Sequence, residues 1–204
     1  DQRLSRGLGD VYKRQVFVVT TLESSMIKLI ILDVDGVLTD GKKYYDRDAN
    51  VVMKTFCDKD WTAIKRFKAL GIKVIFLTGD PFNEAMARNR NIDCIVNRKD
   101  GKHTDKVDYL KGLCATYKVK PTEIVFVGDD IFDMAIMQKV GYKYCPADAP
   151  EELHDIVTDI LHESGGNNCV MVLFDTLRQA KLLPKYKMDE HMKAVYELDV
   201  KEKF

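Results

Sequence analysis

The chain reads as an α/β protein with a central parallel sheet, a projecting β-hairpin and no separate lid domain. Three observations predict this class. Short apolar runs of strand length alternate with stretches whose apolar residues recur at helical spacing, the pattern of successive βα units. Lys43-Tyr44-Tyr45 and Val51-Val52-Met53-Lys54 flank the polar stretch Asp46-Arg47-Asp48-Ala49-Asn50, which makes a hairpin within the first crossover. No segment between the strands is long enough to fold as a lid.

The elements follow in order. Strands are expected at Ile27 to Val34, Lys73 to Leu77, Cys94 to Val96, Glu123 to Val127 and Tyr142 to Cys145, each an apolar run bounded by polar residues. Between them, Asp60 to Leu70, Asn83 to Asn91, Thr104 to Tyr117 and Ile131 to Val140 carry helical periodicity. Gly71 and Gly141 stand where C-terminal caps belong. After Gly165-Gly166, Val170 to Leu183 is expected to be helical until Pro184 interrupts it. Met188, Met192, Val195 and Leu198 then form an amphipathic stripe in a helical tail over 184–204, a packing face for this chain or a neighbour.

Composition narrows the function classes. At 204 residues one core domain with a small appendage is expected. Lysine plus arginine equal aspartate plus glutamate at 32 each, so no global basic field draws nucleic acid or an anionic membrane, and any phosphate site must be local. Cys57, Cys94, Cys114, Cys145 and Cys169 are odd in number and scattered, which suits reduced thiols in a cytoplasmic protein. No apolar stretch approaches the ~20 residues that span a bilayer. Asp10-Val11-Tyr12-Lys13-Arg14-Gln15 resembles a translated sequencing-library adaptor, so residues 1–25 are expected to be a non-native leader, with Met26 as the native start; a genuine polar leader is the alternative. The main domain is then 26–183.

The chemistry starts at Leu29-Ile30-Ile31-Leu32, an apolar run that ends in Asp33-Val34-Asp35-Gly36. Carboxylates at the end of a buried strand are costly unless a cation meets them. In extended backbone Asp33 and Asp35 point the same way. Thr78-Gly79-Asp80 and Gly128-Asp129-Asp130, with Asp133 just beyond, end two further expected strands, and Lys106 opens a helix between them. Strand ends are where open parallel sheets bind ligands. Taken singly these are a turn, a solvated lysine and a helix cap; together they make a phosphoryl-transfer site. Asp33 suits the covalent nucleophile and Asp35 the acid and base for leaving group and water. Two carboxylates beside a phosphate dianion need cations, and Mg2+ suits the site, where Asp129 with Asp33 would hold it and Asp133 could bind a metal water. Lys106, the Thr78 hydroxyl and nearby backbone amides, Gly79 among them, serve the phosphoryl oxygens.

These residues resemble the four motifs of the haloacid dehalogenase superfamily from about Ile27 to Leu183. Leu32 to Gly41, the hairpin, Lys54-Thr55-Phe56 and Gly165-Gly166 further resemble its capless branch, which holds phosphatases of 3-deoxy-D-manno-octulosonate 8-phosphate and of nonulosonate 9-phosphates. The resemblance implies a Rossmannoid three-layer sandwich and a Mg2+-dependent phosphatase of a phosphorylated sugar acid bound for surface polysaccharide. It also implies Asp35 as a backbone metal ligand, Asp130 and Asp133 near the metal, and a homotetramer whose neighbouring hairpins and tails replace the cap. The chain departs from that branch in places. Lys59-Asp60 fits the pattern, with Lys59 on the substrate side, but Trp61 replaces a glycine and either narrows the pocket or packs on a helix. Asp80 stands where the octulosonate enzymes place arginine, and Arg88 falls at the spacing of a substrate-facing arginine in the nonulosonate relatives or is a solvated helix residue. Met171 and Val172 stand in place of an arginine-glutamate pair. Two other readings are a phosphatase of another small sugar phosphate or nucleotide, and a non-catalytic oligomerisation module partnered with a sugar cytidylyltransferase.

Overall fold

In the computed structural model, which describes residues 26–202, β1 (Leu29–Leu32) leads into a hairpin of β2 (Tyr44–Tyr45) and β3 (Val51–Met53). Helix α1 (Asp58–Ala69) connects to β4 (Lys73–Thr78), and α2 (Asn83–Asn89) to β5 (Asp93–Val96). A second hairpin, β6 (Arg98–Lys99) and β7 (Lys102–His103), precedes a 3-10 turn at Lys106–Tyr109 that continues as α3 (Leu110–Tyr117). Then come β8 (Ile124–Val127), α4 (Met134–Met137), β9 (Tyr142–Cys145), α5 (Glu151–His154) and β10 (Asp159–Ile160), followed by α6 (Cys169–Gln179) and α7 (Met188–Asp199). The expectation for the 1–25 leader lies outside the described residues.

The central sheet runs β10-β9-β8-β1-β4-β5 with every pairing parallel. Its side chains alternate between two cores, as the two-residue period of a strand requires. Ile30, Leu32, Val74, Phe76, Val125 and Val127 pack with α1 and α6 through Ile64, Phe67, Leu173 and Phe174. Leu29, Ile31, Ile75, Leu77, Ile124 and Phe126 pack instead with Leu110, Leu113, Ile136 and Leu153 from α3, α4 and α5. Strands covered on both faces read as unbroken apolar runs, which is why the sequence located them. The result is a three-layer sandwich. No helix among the described residues is long and apolar enough to cross a membrane, and all five cysteines are unpaired.

Several boundaries differ from expectation for local reasons. β1 stops at Leu32 because the amides of Val37, Leu38 and Thr39 all turn back to the Val34 carbonyl, so Asp35 sits in a tight turn and not in extended backbone. The helix expected from Ile131 to Val140 shrinks to a 3-10 turn and α4, since Asp130 and Asp133 cap the turn reciprocally. Gly71 is a left-handed cap at φ 77°, but Gly141 is not. A Cβ on Gly141 would meet the Thr122 carbonyl oxygen at 2.6 Å, so close backbone approach, and not a cap, requires glycine there. Helix α6 ends at Gln179, before Pro184, because Lys181 turns left-handed and the Leu182 amide bonds back to the Leu177 carbonyl. Unanticipated are β6–β7, α5 and β10.

Candidate active site

The loops after β1, β4, β5 and β8 enclose a cavity of about 450 Å3 at the carboxyl edge of the sheet. Two glycine contacts fix the loop after β1. Gly36 adopts φ 83°, and a Cβ there would lie 1.9 Å from Asp129 Oδ2. A Cβ on Gly165 would lie 1.9 Å from the Gly36 carbonyl oxygen, so the late glycine pair is the surface on which the aspartate loop rests.

Asp33 lies at the centre. Its amide donates to the Val127 carbonyl at 2.9 Å, and its Oδ1 accepts from the Val34 amide at 2.6 Å. Lys106, a residue only 4% exposed, donates from Nζ to Asp33 Oδ2 and to Asp133 Oδ1, each at 2.6 Å. Asp133 Oδ2 accepts from the amides of Asp129 and Asp130 at 3.1 and 3.3 Å. Asp33, Asp129 and Asp133 each offer an oxygen within 4.8 Å of the others. Burial raises Asp33 despite the opposing pull of Lys106. Burial, together with the charges of Asp33 and Asp133, pushes Asp129 up to about 8. Burial alone would lower Lys106, yet Asp33 and Asp133 hold its ammonium well above the ordinary lysine value.

Three carboxylates against one ammonium leave two uncompensated negative charges when all are ionised, in a part-buried place where that is costly. A small divalent cation removes that cost. The donor set is entirely carboxylate oxygen, which suits Mg2+ over a soft metal. Asp33, Asp129 and Asp133 are the residues that would hold it. Asp130, by contrast, spends its Oδ1 capping Ile131 at 2.6 Å.

The second half of the site is a lysine-carboxylate network. Lys54, whose side chain is wholly buried, donates to Asp35 Oδ1 at 2.7 Å, Asp80 Oδ2 at 2.8 Å and Asn83 Oδ1 at 2.9 Å. Lys43 approaches the same Asp80 oxygen at 2.7 Å and Asp35 at 3.6 Å. Burial opposes ionisation of Asp80, but hydrogen bonds from Lys43 and Lys54 hold it down at about 2. Asn83 Nδ2 donates to the fully buried Thr78 Oγ1 at 2.8 Å and so fixes the hydroxyl.

The structure thus brings Asp33, Asp35, Thr78, Gly79, Asp80, Lys106, Asp129, Asp130 and Asp133 to one place. It does not bring Lys59 or Arg88. Lys59 is exposed on the first turn of α1, and Arg88 lines a separate depression with Glu84 and Asp93. Trp61 is a packing residue, 4% exposed, with its ring 5.3 Å from Phe56 and under the Arg90 guanidinium. Asp60 accepts from the amides of Val170 and Met171, joining α1 to the start of α6. Met171 and Val172 likewise belong to helix packing.

Residues not anticipated at the site are Lys43, Lys54, Asn83, Asn97, Arg98, His103 and Phe132. Lysines at both feet of the predicted hairpin, beside an acid-rich loop, were the available signal for Lys43 and Lys54. The signal for β6–β7 was Asp100-Gly101, whose φ values of 53° and 74° are those of the primed two-residue hairpin turn.

Residues 55–141 match the family model of haloacid dehalogenase-like hydrolases. The chain is 32% identical to the 3-deoxy-D-manno-octulosonate 8-phosphate phosphatase KdsC of Salmonella typhi over 173 residues, covering 85% of this chain and 87% of that one. It superimposes with a TM-score of 0.70 on the cobalt-bound octulosonate phosphatase of Haemophilus influenzae, at 28% identity, covering 78% of this chain and 91% of that one. The corresponding enzyme of Moraxella catarrhalis, in complex with magnesium, phosphate and KDO, gives 0.68 at 25% identity, with 77% and 88% covered.

Proposed function

Because this chain belongs to the haloacid dehalogenase-like hydrolases and is a phosphomonoester hydrolase, we propose that it is a Mg2+-dependent phosphatase of a phosphorylated sugar acid, of the octulosonate 8-phosphate or nonulosonate 9-phosphate type. The observation that carries this reading is the Asp33 carboxylate, held by Lys106 at the end of the central strand beside Asp129 and Asp133. The sugar-acid substrate is supported by the octulosonate phosphatases among its relatives and by a polar cavity with cations on its walls.

In this mechanism an Asp33 oxygen attacks phosphorus as the bond to the leaving oxygen breaks, giving an aspartyl phosphate. Asp35 gives a proton to the departing alkoxide, then takes one from the water that cleaves the acyl phosphate, which restores both carboxyl groups. Lys54 and Asn83 orient Asp35, and Lys106 and Thr78 receive the phosphoryl oxygens. Magnesium, when bound by Asp33 and Asp129 with Asp133 beside them, supplies positive charge to the phosphoryl group and its surrounding carboxylates. The chain acts as a homotetramer in the cytoplasm in this reading, a state supported by the exposed Tyr44, Tyr45, Val52 and Met53 of the hairpin and Met188, Met192 and Tyr196 of the tail.

A phosphate-release panel tests the proposal. It includes octulosonate 8-phosphate, nonulosonate 9-phosphate, neutral sugar phosphates and nucleotides, with folded Asp33→Asn as the blank. The sugar acids are expected to lead, and Asp33→Asn to lose at least about 10^4-fold. Flat rates across the panel remove the sugar-acid reading, and full turnover by Asp33→Asn removes the covalent mechanism.

A further inference from the structure

The basic side chains around the cavity are not equivalent. Lys106 is shared by Asp33 and Asp133, and Lys43 by Asp35 and Asp80, so each is already neutralised. Arg98 lines the same cavity and forms no ion pair among the described residues. Its guanidinium lies 5.0 Å from the centre of the Phe132 ring, and its Cδ and Nε stand 3.3 Å from where a Cβ on Gly79 would be. His103, on the paired strand, meets Phe132 edge-on at 5.6 Å and 78°. Phe132 is itself 50% exposed, a large apolar surface kept beside a charged cavity.

The mounting is firm although the hairpin is small. The Asn97 amide donates to the Thr78 carbonyl at 3.0 Å, the Thr104 amide to the Asn97 carbonyl at 2.9 Å, and Asn97 Nδ2 to the Thr104 carbonyl at 2.8 Å. The foot of β6–β7 is therefore tied to the end of β4. The Phe132 ring, 5.0 Å from the Arg98 guanidinium, holds the cation by a cation–π contact that uses none of its N–H donors, which suit a planar carboxylate. The transferred phosphoryl group must reach Asp33, where Lys106 already stands 2.6 Å away, whereas Arg98 is exposed on a hairpin beyond the strand ends.

We propose that Arg98, carried by β6–β7 and set over the Phe132 ring, binds a carboxylate on the leaving group of the substrate while Phe132 covers the adjoining carbon chain. This rests on the phosphatase reading above and adds a specificity contact supplied from within one subunit. Arg98 is a substrate-contacting residue in this role, and Lys99, exposed and outside the cavity, is not.

The test compares octulosonate 8-phosphate with its methyl ester, in which a neutral and slightly larger group replaces the carboxylate. The wild-type chain is expected to prefer the acid by about 10- to 100-fold in kcat/KM, mostly through KM. Arg98→Gln is expected to lose that preference, with kcat/KM falling far more on the acid than on the ester, Arg98→Lys to recover part of it, and Lys99→Gln to keep it. Equal losses on acid and ester would place the guanidinium on the phosphoryl group and overturn the proposal, as would an unchanged preference. Failure of the wild-type chain to hydrolyse octulosonate 8-phosphate would count against the substrate reading instead. In that case inhibition of p-nitrophenyl phosphate hydrolysis by free octulosonate and by its methyl ester decides the role of Arg98. Acid-selective inhibition lost in Arg98→Gln supports it, and no acid selectivity in the wild-type chain overturns it.

Discussion

Charge is concentrated in two regions of the molecule, the aspartate cluster at the sheet edge and the layer of α1, α6 and α7, and the two balance it in opposite ways. At the sheet edge Asp33, Asp129 and Asp133 share the single ammonium of Lys106, so anions outnumber cations. In the helical layer cations prevail: Lys65 binds Asp199, and Glu202 faces Lys65, Lys68 and Arg90 at 3.9, 3.5 and 3.5 Å. Arg66 adds a guanidinium 3.8 Å from the centre of the Phe174 ring and bonds Tyr186 at 3.2 Å, fastening the tail to α1. A shortage of positive charge among part-buried carboxylates stores an affinity for a cation and for phosphate chemistry. An excess of basic partners around the carboxylates of the tail ties a helix down.

The sharpest test of that contrast is removal of the divalent ion. Chelation is expected to lower phosphate release at least about 100-fold, with Mg2+ restoring it. At a concentration of 100 times its Kd, Mg2+ is expected to stabilise the wild-type fold by about 2.7 kcal/mol in thermal melts, and Asp129→Asn much less. An equal rise in Tm for both chains would break the assignment of the cluster.

Lys54→Met probes the other half of the site. It leaves Asp35 and Asp80 without the buried ammonium between them, so about 100-fold in kcat and about 3 kcal/mol of stability are expected to be lost. The readouts are steady-state kinetics and urea unfolding, and a loss confined to stability would show that Lys54 does not serve Asp35.

Asp60 belongs to the helical layer but forms no ion pair among the described residues; the backbone amides at the start of α6, those of Val170 and Met171 among them, meet it instead. Burial outweighs those bonds and raises its carboxyl to about 6. The folded chain therefore holds this proton more tightly than the unfolded one. The resulting stabilisation is complete below about pH 4 and is lost as pH rises past about 6, on the order of 3 kcal/mol in all. Asp60→Asn keeps the acceptor and removes the titration, so its urea midpoint should gain on the wild type between pH 4 and 7. Parallel profiles would refute this.

The smallest effect on activity is expected from Glu202→Gln in the tail. The Glu202 side chain is only 4% exposed among Lys65, Lys68 and Arg90, so its loss is expected to cost about 3 kcal/mol in urea unfolding while kcat does not change. A large loss of activity would mean that the tail and the site are coupled, and the contrast between them would fail.

Legibility from sequence followed the same division. The sheet was readable because strands covered on both faces are unbroken apolar runs, and the aspartates because each stands where such a run ends. Thr78 and Lys106 were placed by the same strand-end logic. Lys59 and Arg88 were drawn to the site by family spacing, yet spacing does not say which side of a helix faces a cavity. The structure leaves both outside it. The Trp61 question was likewise settled by packing, because an indole in an amphipathic pattern suits either a core or a pocket wall.

The sequence by itself determined a parallel α/β sheet and the acidic loops that end its strands, because burial on both faces and carboxylates at strand ends are local patterns. Only the tertiary structure decided which cations meet those acids. Lys54 reaches Asp35 and Asp80, Arg98 reaches the cavity wall beside Gly79, and Asp60 reaches the start of α6. Each partnership joins residues on separate elements, and Coulomb and hydrogen-bond energies depend on distance through space, which spacing along the chain does not contain.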